Sequence, residues 1–194
     1  MKKNVVRNVL LGSIIILVIA ALVLIGLLYI KKNKKPVYLD DVKVSSLVTK
    51  LNDNLKSSKI EYFASEENLL KEDDSYWYGL HEDIVLHLIP LKYTGEVDKD
   101  IVLESGIFYD KDSKNSELAS KYIVNLIKAN ALELTDEEID EIIKQAKEIG
   151  KDNVNSKNGK GYASKGLIIT YWTNEDNYHI SIEREREVLD EKNN

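Results

Sequence analysis

The sequence of 194 residues divides into a basic beginning and an acidic remainder. Residues 1–35 contain seven Lys or Arg and no Asp or Glu, whereas the other 159 residues contain 20 basic and 33 acidic side chains. The remainder therefore carries a net charge of −13, and this asymmetry predicts two different environments for the two parts. The chain has no cysteine, which excludes disulfides, thiolate zinc sites and a catalytic thiol. This net negative charge would repel a nucleic acid, and the chain has few of the arginines that phosphate recognition favours, so nucleic-acid binding is disfavoured.

A long uncharged segment follows the first residues. Residues 9–30 read VLLGSIIILVIAALVLIGLLYI, and a helix of that length measures about 33 Å against a bilayer core of about 30 Å. The segment is longer than the apolar part of a cleavable signal peptide, and no small-residue pair follows it. We therefore predict a basic tail at 1–8 and an uncleaved transmembrane anchor helix at 9–30.

The orientation of this anchor is not decided by its flanking charges, because Lys and Arg are nearly equal in number on the two sides. A short N-terminal tail before a large C-terminal domain is the usual signal-anchor arrangement. We expect a single-pass protein of the cell membrane with its soluble domain on the extracytoplasmic side. The abundance of Lys, Asn and Ile is typical of an AT-rich bacterial genome.

The rest of the chain is predicted to be a charged stalk, one domain and a short tail. The stalk covers 31–40, where Pro36 interrupts any continuous helix, the domain covers 41–186, and a frayed tail covers 187–194. Apolar residues recur at spacings of three and four in three segments, which predicts helices over 41–57, 115–130 and 135–150.

The last of these helices has the clearest end signals. Thr135 and Glu138 have the spacing of a capping box, and Gly150 is a plausible C-terminal stop.

Segments rich in aromatic and β-branched residues predict strands. They cover 59–63, 75–80, 83–89 (ending at Pro90), 99–109, 162–172 and 178–185. In the fourth segment Ile101, Leu103, Ile107 and Tyr109 share one parity, and the last segment alternates like a half-exposed strand. The order of helix, strands, two helices and a hairpin predicts an α+β fold with an antiparallel sheet and about three helices.

Motifs that would identify a catalytic or metal site are missing. His81 and His87 lack the spacing of a helical zinc motif, and residues 110–121 lack the glycine and the final glutamate of a calcium loop. The glycine-rich segment 158–161 lacks the Walker spacing, and no serine-nucleophile motif occurs. We predict no catalytic residue, no metal site and no cofactor.

Carboxylates are abundant enough that a glycosidase-type pair stays open as an alternative. Those at 136–141 are typical of a solvated helix start, where negative charge favours the dipole. Glu104 is different because it lies within an apolar strand, and it is the acid to inspect first for burial.

The aromatic residues give the remaining signal. Strand alternation puts Trp77 on the opposite sheet face from Tyr76 and Tyr78, and Trp172 lies in another predicted strand. Aromatic rings on a sheet can bind peptide or sugar, although more often they belong to the core. Our candidate binding residues are Trp77, Trp172, Tyr76 and Tyr78, with one of the two tryptophans lining a groove.

Together these features predict a membrane-anchored, extracytoplasmic binding or assembly module of a bacterial cell envelope, with a protein or envelope component as its partner. An enzyme is the less favoured interpretation. The alternatives are an envelope hydrolase that uses paired carboxylates and a cytoplasm-facing regulatory subunit of a membrane complex.

Overall fold

The chain divides into two units at Pro36, and the fold described here belongs to the second. The computed structural model describes residues 39–93, 96–131, 133–153 and 159–185, with the side chains of 92–99 excepted. Within these ranges three α-helices accompany one seven-stranded antiparallel sheet. The predicted α+β class is therefore confirmed.

None of the helices in the described ranges is long and apolar enough to cross a membrane. The predicted anchor at 9–30, most of the stalk at 31–40 and the tail at 187–194 lie outside those ranges.

The helices are α1 (Val44–Ser57), α2 (Ser116–Asn130) and α3 (Asp136–Gly150), and a single 3₁₀ turn covers Glu66–Asn68. The strands are β1 (Leu69–Glu72), β2 (Ser75–His81), β3 (Ile84–Tyr93), β4 (Glu96–Asp110), β5 (Tyr162–Ser164), β6 (Leu167–Thr173) and β7 (Asn177–Arg184). Their order across the sheet is β1-β2-β3-β4-β7-β6-β5. Strands β2, β3 and β4 correspond to three predicted strands and form an antiparallel meander together with β1, which the sequence did not predict. The last three strands attach to this meander through the pairing of β7 with β4.

The three described helices and one face of the sheet share a single apolar core. Leu47, Leu51 and Leu55 of α1 are fully buried with the apolar stripes of α2 and α3 and with alternate residues of the central strands. Burial of these side chains supplies most of the stabilisation of such a fold. The opposite side of the sheet, which we call the outer face, comprises Leu70, Glu72, Ser75, Trp77, Gly79, Val85, His87, Ile89, Glu104, Gly106, Phe108, Asp110, Ala163, Ile168, Thr170, Trp172, Asn177, His179, Ser181 and Glu183.

A bulge in β4 changes which of its residues face the core. Glu104 pairs with Ile89 whereas Val102 pairs with Pro90, so Leu103 is an extra residue on the β4 side. The prediction that Leu103 shares a face with Ile107 is therefore wrong, because the bulge shifts the alternation by one.

Pro90 lies at this irregularity and does not end β3 as predicted. A proline lacks the amide proton of a regular ladder and is tolerated at a bulge. The incoming chain pairs at the same place, since Val102 N donates to Val42 O at 2.9 Å.

Two further sequence predictions are corrected. Residues 59–63 form no strand but an extended connection after α1. The predicted strand over 162–172 is two strands, because Lys165 and Gly166, at φ 55° and 78°, form a tight turn between β5 and β6. Positive φ at both central residues is the signature of a type I′ hairpin, and the lysine concealed it in the sequence.

The last turn of α3 lies against β6. A Cβ atom on Gly150 would be 2.2 Å from the carbonyl oxygen of Tyr171, so only glycine allows this approach. Thr135 and Glu138 form the predicted capping box at the other end of α3. Gly150 is thus needed for close packing and is still helical, rather than being the residue that stops the helix.

Tyr122 of α2 ties the helix layer to the sheet. Its hydroxyl lies within hydrogen-bond distance of two carbonyl oxygens, Tyr62 O at 3.0 Å and Leu80 O of β2 at 3.4 Å. Its side chain is fully buried, and burial raises its pKa to about 12. Below pH 10 the residue is protonated in both the folded and the unfolded chain. Between pH 10 and 12 the unfolded chain loses that proton while the folded chain keeps it, so stability falls as pH rises.

We expect Tyr122→Phe to lower the free energy of unfolding by about 1 kcal/mol at pH 8, because a hydrogen bond is lost. We also expect its stability to fall less steeply than that of the wild type between pH 10 and 12, as measured by urea unfolding. Tyr162→Phe, at a partly exposed tyrosine in the edge strand β5, is the control and should keep the wild-type slope. Equal slopes for Tyr122→Phe and the wild type would contradict the assignment.

Candidate functional site

Aromatic and imidazole rings cross five strands of the outer face in two neighbouring rows. One row of cross-strand partners runs Trp77, His87, Gly106, Ser181, Thr170. The adjacent row runs Gly79, Val85, Phe108, His179, Trp172. A set of rings on the face opposite the helices is the most distinctive chemical feature of the described part of the chain.

The rings form two stacks that touch. Trp77 and His87 are stacked with centroids 3.7 Å apart, and Phe108 and His179 are stacked at the same separation. Adjacent strands are about 4.8 Å apart, so rings this close and nearly parallel must stack across the strands. Each ring therefore packs its face against its stacking partner, and its edge points away from the sheet.

Trp172 closes one end of this arrangement. Its ring is perpendicular to that of Phe108 at 5.8 Å and nearly perpendicular to that of His179 at 4.7 Å. Its indole N–H is buried and makes no hydrogen bond to a described residue. Edge-to-face contacts of this kind contribute beyond simple area burial, typically by about 0.5–1.5 kcal/mol per pair.

Gly106 makes room for the second stack. A Cβ atom at this position would be 2.4 Å from His179 Nε2, so the imidazole lies directly over the glycine. His179 is only 2% exposed and His87 only 9%. The imidazoles are therefore part of the packed layer, while the rings of Trp77, Phe108 and Trp172 are half-buried.

The four predicted binding residues fall on two faces. Trp77 and Trp172 lie together on the outer face and are joined through Phe108, which is 5.5 Å from Trp77. Tyr76 and Tyr78 lie on the helix face, where Tyr78 is buried in the core and Tyr76 packs against it. A binding site on the outer face can include the tryptophans but not the tyrosines.

Sequence reasoning missed Phe108, His87 and His179 as members of this site. The predicted half-exposed pattern of the last strand is wrong from His179 to Ile182, where residues of both parities are buried. Rings from β4 and β6 cover the outer side of β7 at this point. The available signal was that His87 and Phe108 alternate along their strands with buried aliphatic residues such as Leu86 and Ile107.

Two carboxylates lie beside the rings. Glu104 of β4 and Glu183 of β7 are direct cross-strand partners, and both are half-buried. Side chains at directly opposite positions have Cβ atoms about 4.5–5.5 Å apart, and two like charges there are destabilising. The pairing places two carboxyl groups side by side next to the ring layer.

Among the described residues no three His, Asp or Glu side chains are grouped so that they could hold a metal ion. Shallow depressions lie at the β1–β2 turn (71–76) and on the solvent side of α3 (140–148). The first depression is lined by Glu72 and Ser75 of the outer face but by none of its rings, and the second is lined by no residue of the outer face. The candidate site is therefore an open surface, and neither depression contains its rings.

Comparisons with protein-family models, with curated proteins and with solved structures find no match to this chain. The interpretation of the outer face consequently rests on its geometry.

We expect Gly106→Ala to destabilise the domain by about 1–3 kcal/mol, because its methyl group displaces the imidazole of His179 from Phe108. Urea unfolding measures the loss, and the near-ultraviolet circular dichroism of the aromatic residues should change with it. Gly79→Ala is the matched control on the same face, since nothing lies within 4 Å of its added Cβ. Equal stability of the two variants would show that the stack does not need the glycine.

Proposed function

We propose that this chain is a membrane-tethered, extracytoplasmic binding or assembly module of a bacterial cell envelope, and that it engages its partner through the outer face. The observation that carries the proposal is the continuous layer of rings that runs from Trp77 through Phe108 to Trp172 across both rows, on the side of the sheet opposite the described helices. Large aromatic side chains are enriched where proteins bind one another. In a sheet that serves only as a scaffold, the residues that face away from the core are normally polar.

The membrane part of the proposal rests on the sequence. The uncharged segment 9–30 has the length of a bilayer span, and the basic residues flanking it are compatible with an anchor. An acidic domain joined to such a segment by a charged stalk would be kept close to the membrane and free to bind a partner there.

A capture experiment tests the binding role. The full-length chain, wild type or Trp77→Ala/Trp172→Ala, is purified in a non-ionic detergent and used to capture components from the membrane and wall fractions of its own cells. We expect at least about a tenfold loss of specific capture in the double variant, because truncating aromatic anchors removes most of the binding energy.

The control for this experiment is Tyr62→Ala, which removes an exposed aromatic ring that lies outside the outer face. The control should capture as the wild type does, and urea unfolding checks that both variants are folded. Unchanged capture by a folded Trp77→Ala/Trp172→Ala protein would dispose of the proposal.

Protease accessibility on intact protoplasts tests the orientation. Digestion of the C-terminal domain without lysis is the expected result. Protection until lysis, with the domain cleavable afterwards, would instead favour a cytoplasm-facing regulatory subunit.

A second candidate function is an envelope hydrolase, and the pairing of Glu104 with Glu183 is the observation that favours it. Directly opposed residues of neighbouring strands have Cβ atoms about 4.5–5.5 Å apart, and glycosidases use a pair of neighbouring carboxyl groups. Turnover of a wall polysaccharide that disappears in Glu104→Gln would support this function over simple binding.

A further inference from the structure

We propose that two copies of this chain pair through the free edge of β1, so that their two sheets join into one continuous sheet. The partner at this edge is thus a second copy of the chain. The inference goes beyond the proposed binding function and does not rest on it, because it concerns the edge of the sheet and not the rings of the outer face.

Strand β1 is an open edge of the sheet. It is the first strand in the order across the sheet, and among the described strands it pairs only with β2. An edge strand presents a row of backbone N–H and C=O groups that another strand can use. The opposite edge is β5, which has only three residues and contacts α3. The edge at β1 is therefore the one that a second sheet can extend.

The turn between β1 and β2 determines which backbone groups of β1 point to this edge. Asp73 and Asp74 have φ values of 45° and 63°, the signature of a two-residue type I′ hairpin. The residues that flank such a turn, Glu72 and Ser75, form a hydrogen-bonded pair. Hydrogen-bonded and non-hydrogen-bonded pairs then alternate along the two strands.

This alternation leaves two residues of β1 with outward backbone groups. Leu70 and its partner Trp77 form the next hydrogen-bonded pair after Glu72 and Ser75, so the backbone groups of Leu70 point to β2. The N–H and C=O groups of Leu69 and Lys71 consequently point to the free edge. No described residue makes a hydrogen bond to them there.

One antiparallel register uses all of these outward groups. If Lys71 faced Lys71 of the other copy, two like charges would be directly opposite, which is destabilising. If Leu69 faced Leu69 of the other copy, only one residue of each β1 would form hydrogen bonds. If Leu69 faces Lys71 of the other copy, both residues form hydrogen bonds in each copy, and Leu70 faces Leu70 across the two-fold axis.

The side chains at this axis favour the same register. Leu70 is 60% exposed and, with Tyr62, is one of two large apolar side chains exposed in the described part of the chain. Pairing would cover Leu70 with its counterpart, beside Trp77 of each copy. At the ends of the paired segment Glu72 would face Asn68, so the register opposes no like charges. Directly opposed side chains point to the same side of a sheet, so both ring layers would share one side.

The size of the contact sets its strength. Strand β1 has four residues, so the paired edges bury less than the roughly 1,000 Å² expected of a stable interface. We therefore expect a weak dimer whose population rises with protein concentration. An isologous contact uses the β1 edge of both copies, so assembly stops at two.

A disulfide cross-link tests the register, because the chain contains no cysteine of its own. In a non-hydrogen-bonded pair the two Cα atoms are about 4.5 Å apart, and a disulfide accepts about 4.4–6.8 Å. The full-length variant Leu70→Cys, in a non-ionic detergent with copper phenanthroline as oxidant, should form covalent dimers at least about tenfold faster than the control variants.

Two control variants are matched to this test. Glu72→Cys lies on the same strand and face, but its two copies would be about 13 Å apart along the strands, too far for a disulfide. Tyr62→Cys has a similar exposure, 54%, and lies away from β1. Both controls report chance collisions of exposed thiols.

Sedimentation equilibrium of the full-length chain tests the association without a cross-link. Leu70→Lys places two cations opposite each other at the axis and should raise the dissociation constant of the dimer at least about tenfold. Tyr62→Lys makes the same change at the other exposed apolar residue and should associate as the wild type does. Because Leu70 is exposed, urea unfolding should show both variants folded.

Similar cross-linking rates for Leu70→Cys, Glu72→Cys and Tyr62→Cys, or a faster rate for Glu72→Cys, would overturn the inference. Association that is unchanged in Leu70→Lys would place the contact elsewhere in the chain and would also overturn it. Capture through the tryptophans is measured separately, so a failure of the β1 contact and a failure of the proposed binding function are distinguishable.

Discussion

The antiparallel pairing of β4 with β7 is the interaction on which the rest of this structure depends. It joins a meander formed by the first half of the domain to a pair of hairpins from the last quarter, with α2 and α3 between them in sequence. The pairing runs from Glu104 with Glu183 to Asp110 with Asn177. Without it the sheet would end at β4, and the ring row would be cut between Phe108 and His179.

The same pairing explains why the two faces of the sheet differ. On the helix face it aligns Ile107 with Ile180 and so extends the apolar core across both halves. On the outer face it brings His179 over Gly106 and against Phe108, which needs a glycine in the middle of a central strand. A glycine is unfavourable inside a strand, and here it is tolerated because the imidazole fills the space that a side chain would take.

The outer face carries side chains of a different kind from those on the helix face. Opposed glutamates, imidazoles buried among aromatic rings and a half-buried row of large rings are arrangements that a sheet serving only as a scaffold would not need. The helix face shows the alternative, a core of aliphatic residues and tyrosines. This contrast between the faces is the physical basis for proposing that the outer face serves a partner.

The sequence by itself determined the features that depend on local periodicity and composition. Helix positions, the capping box at Thr135, most of the strands and the α+β class follow from spacings of two and of three to four along the chain. Alternation in 76–78 also separated Trp77 from its neighbouring tyrosines. Only the tertiary structure decided the β4–β7 pairing, the bulge at Leu103 and the turn at Lys165. It alone brought Trp77, His87, Phe108, His179 and Trp172 into one layer, because those contacts join residues that are far apart in sequence and no local pattern encodes their register.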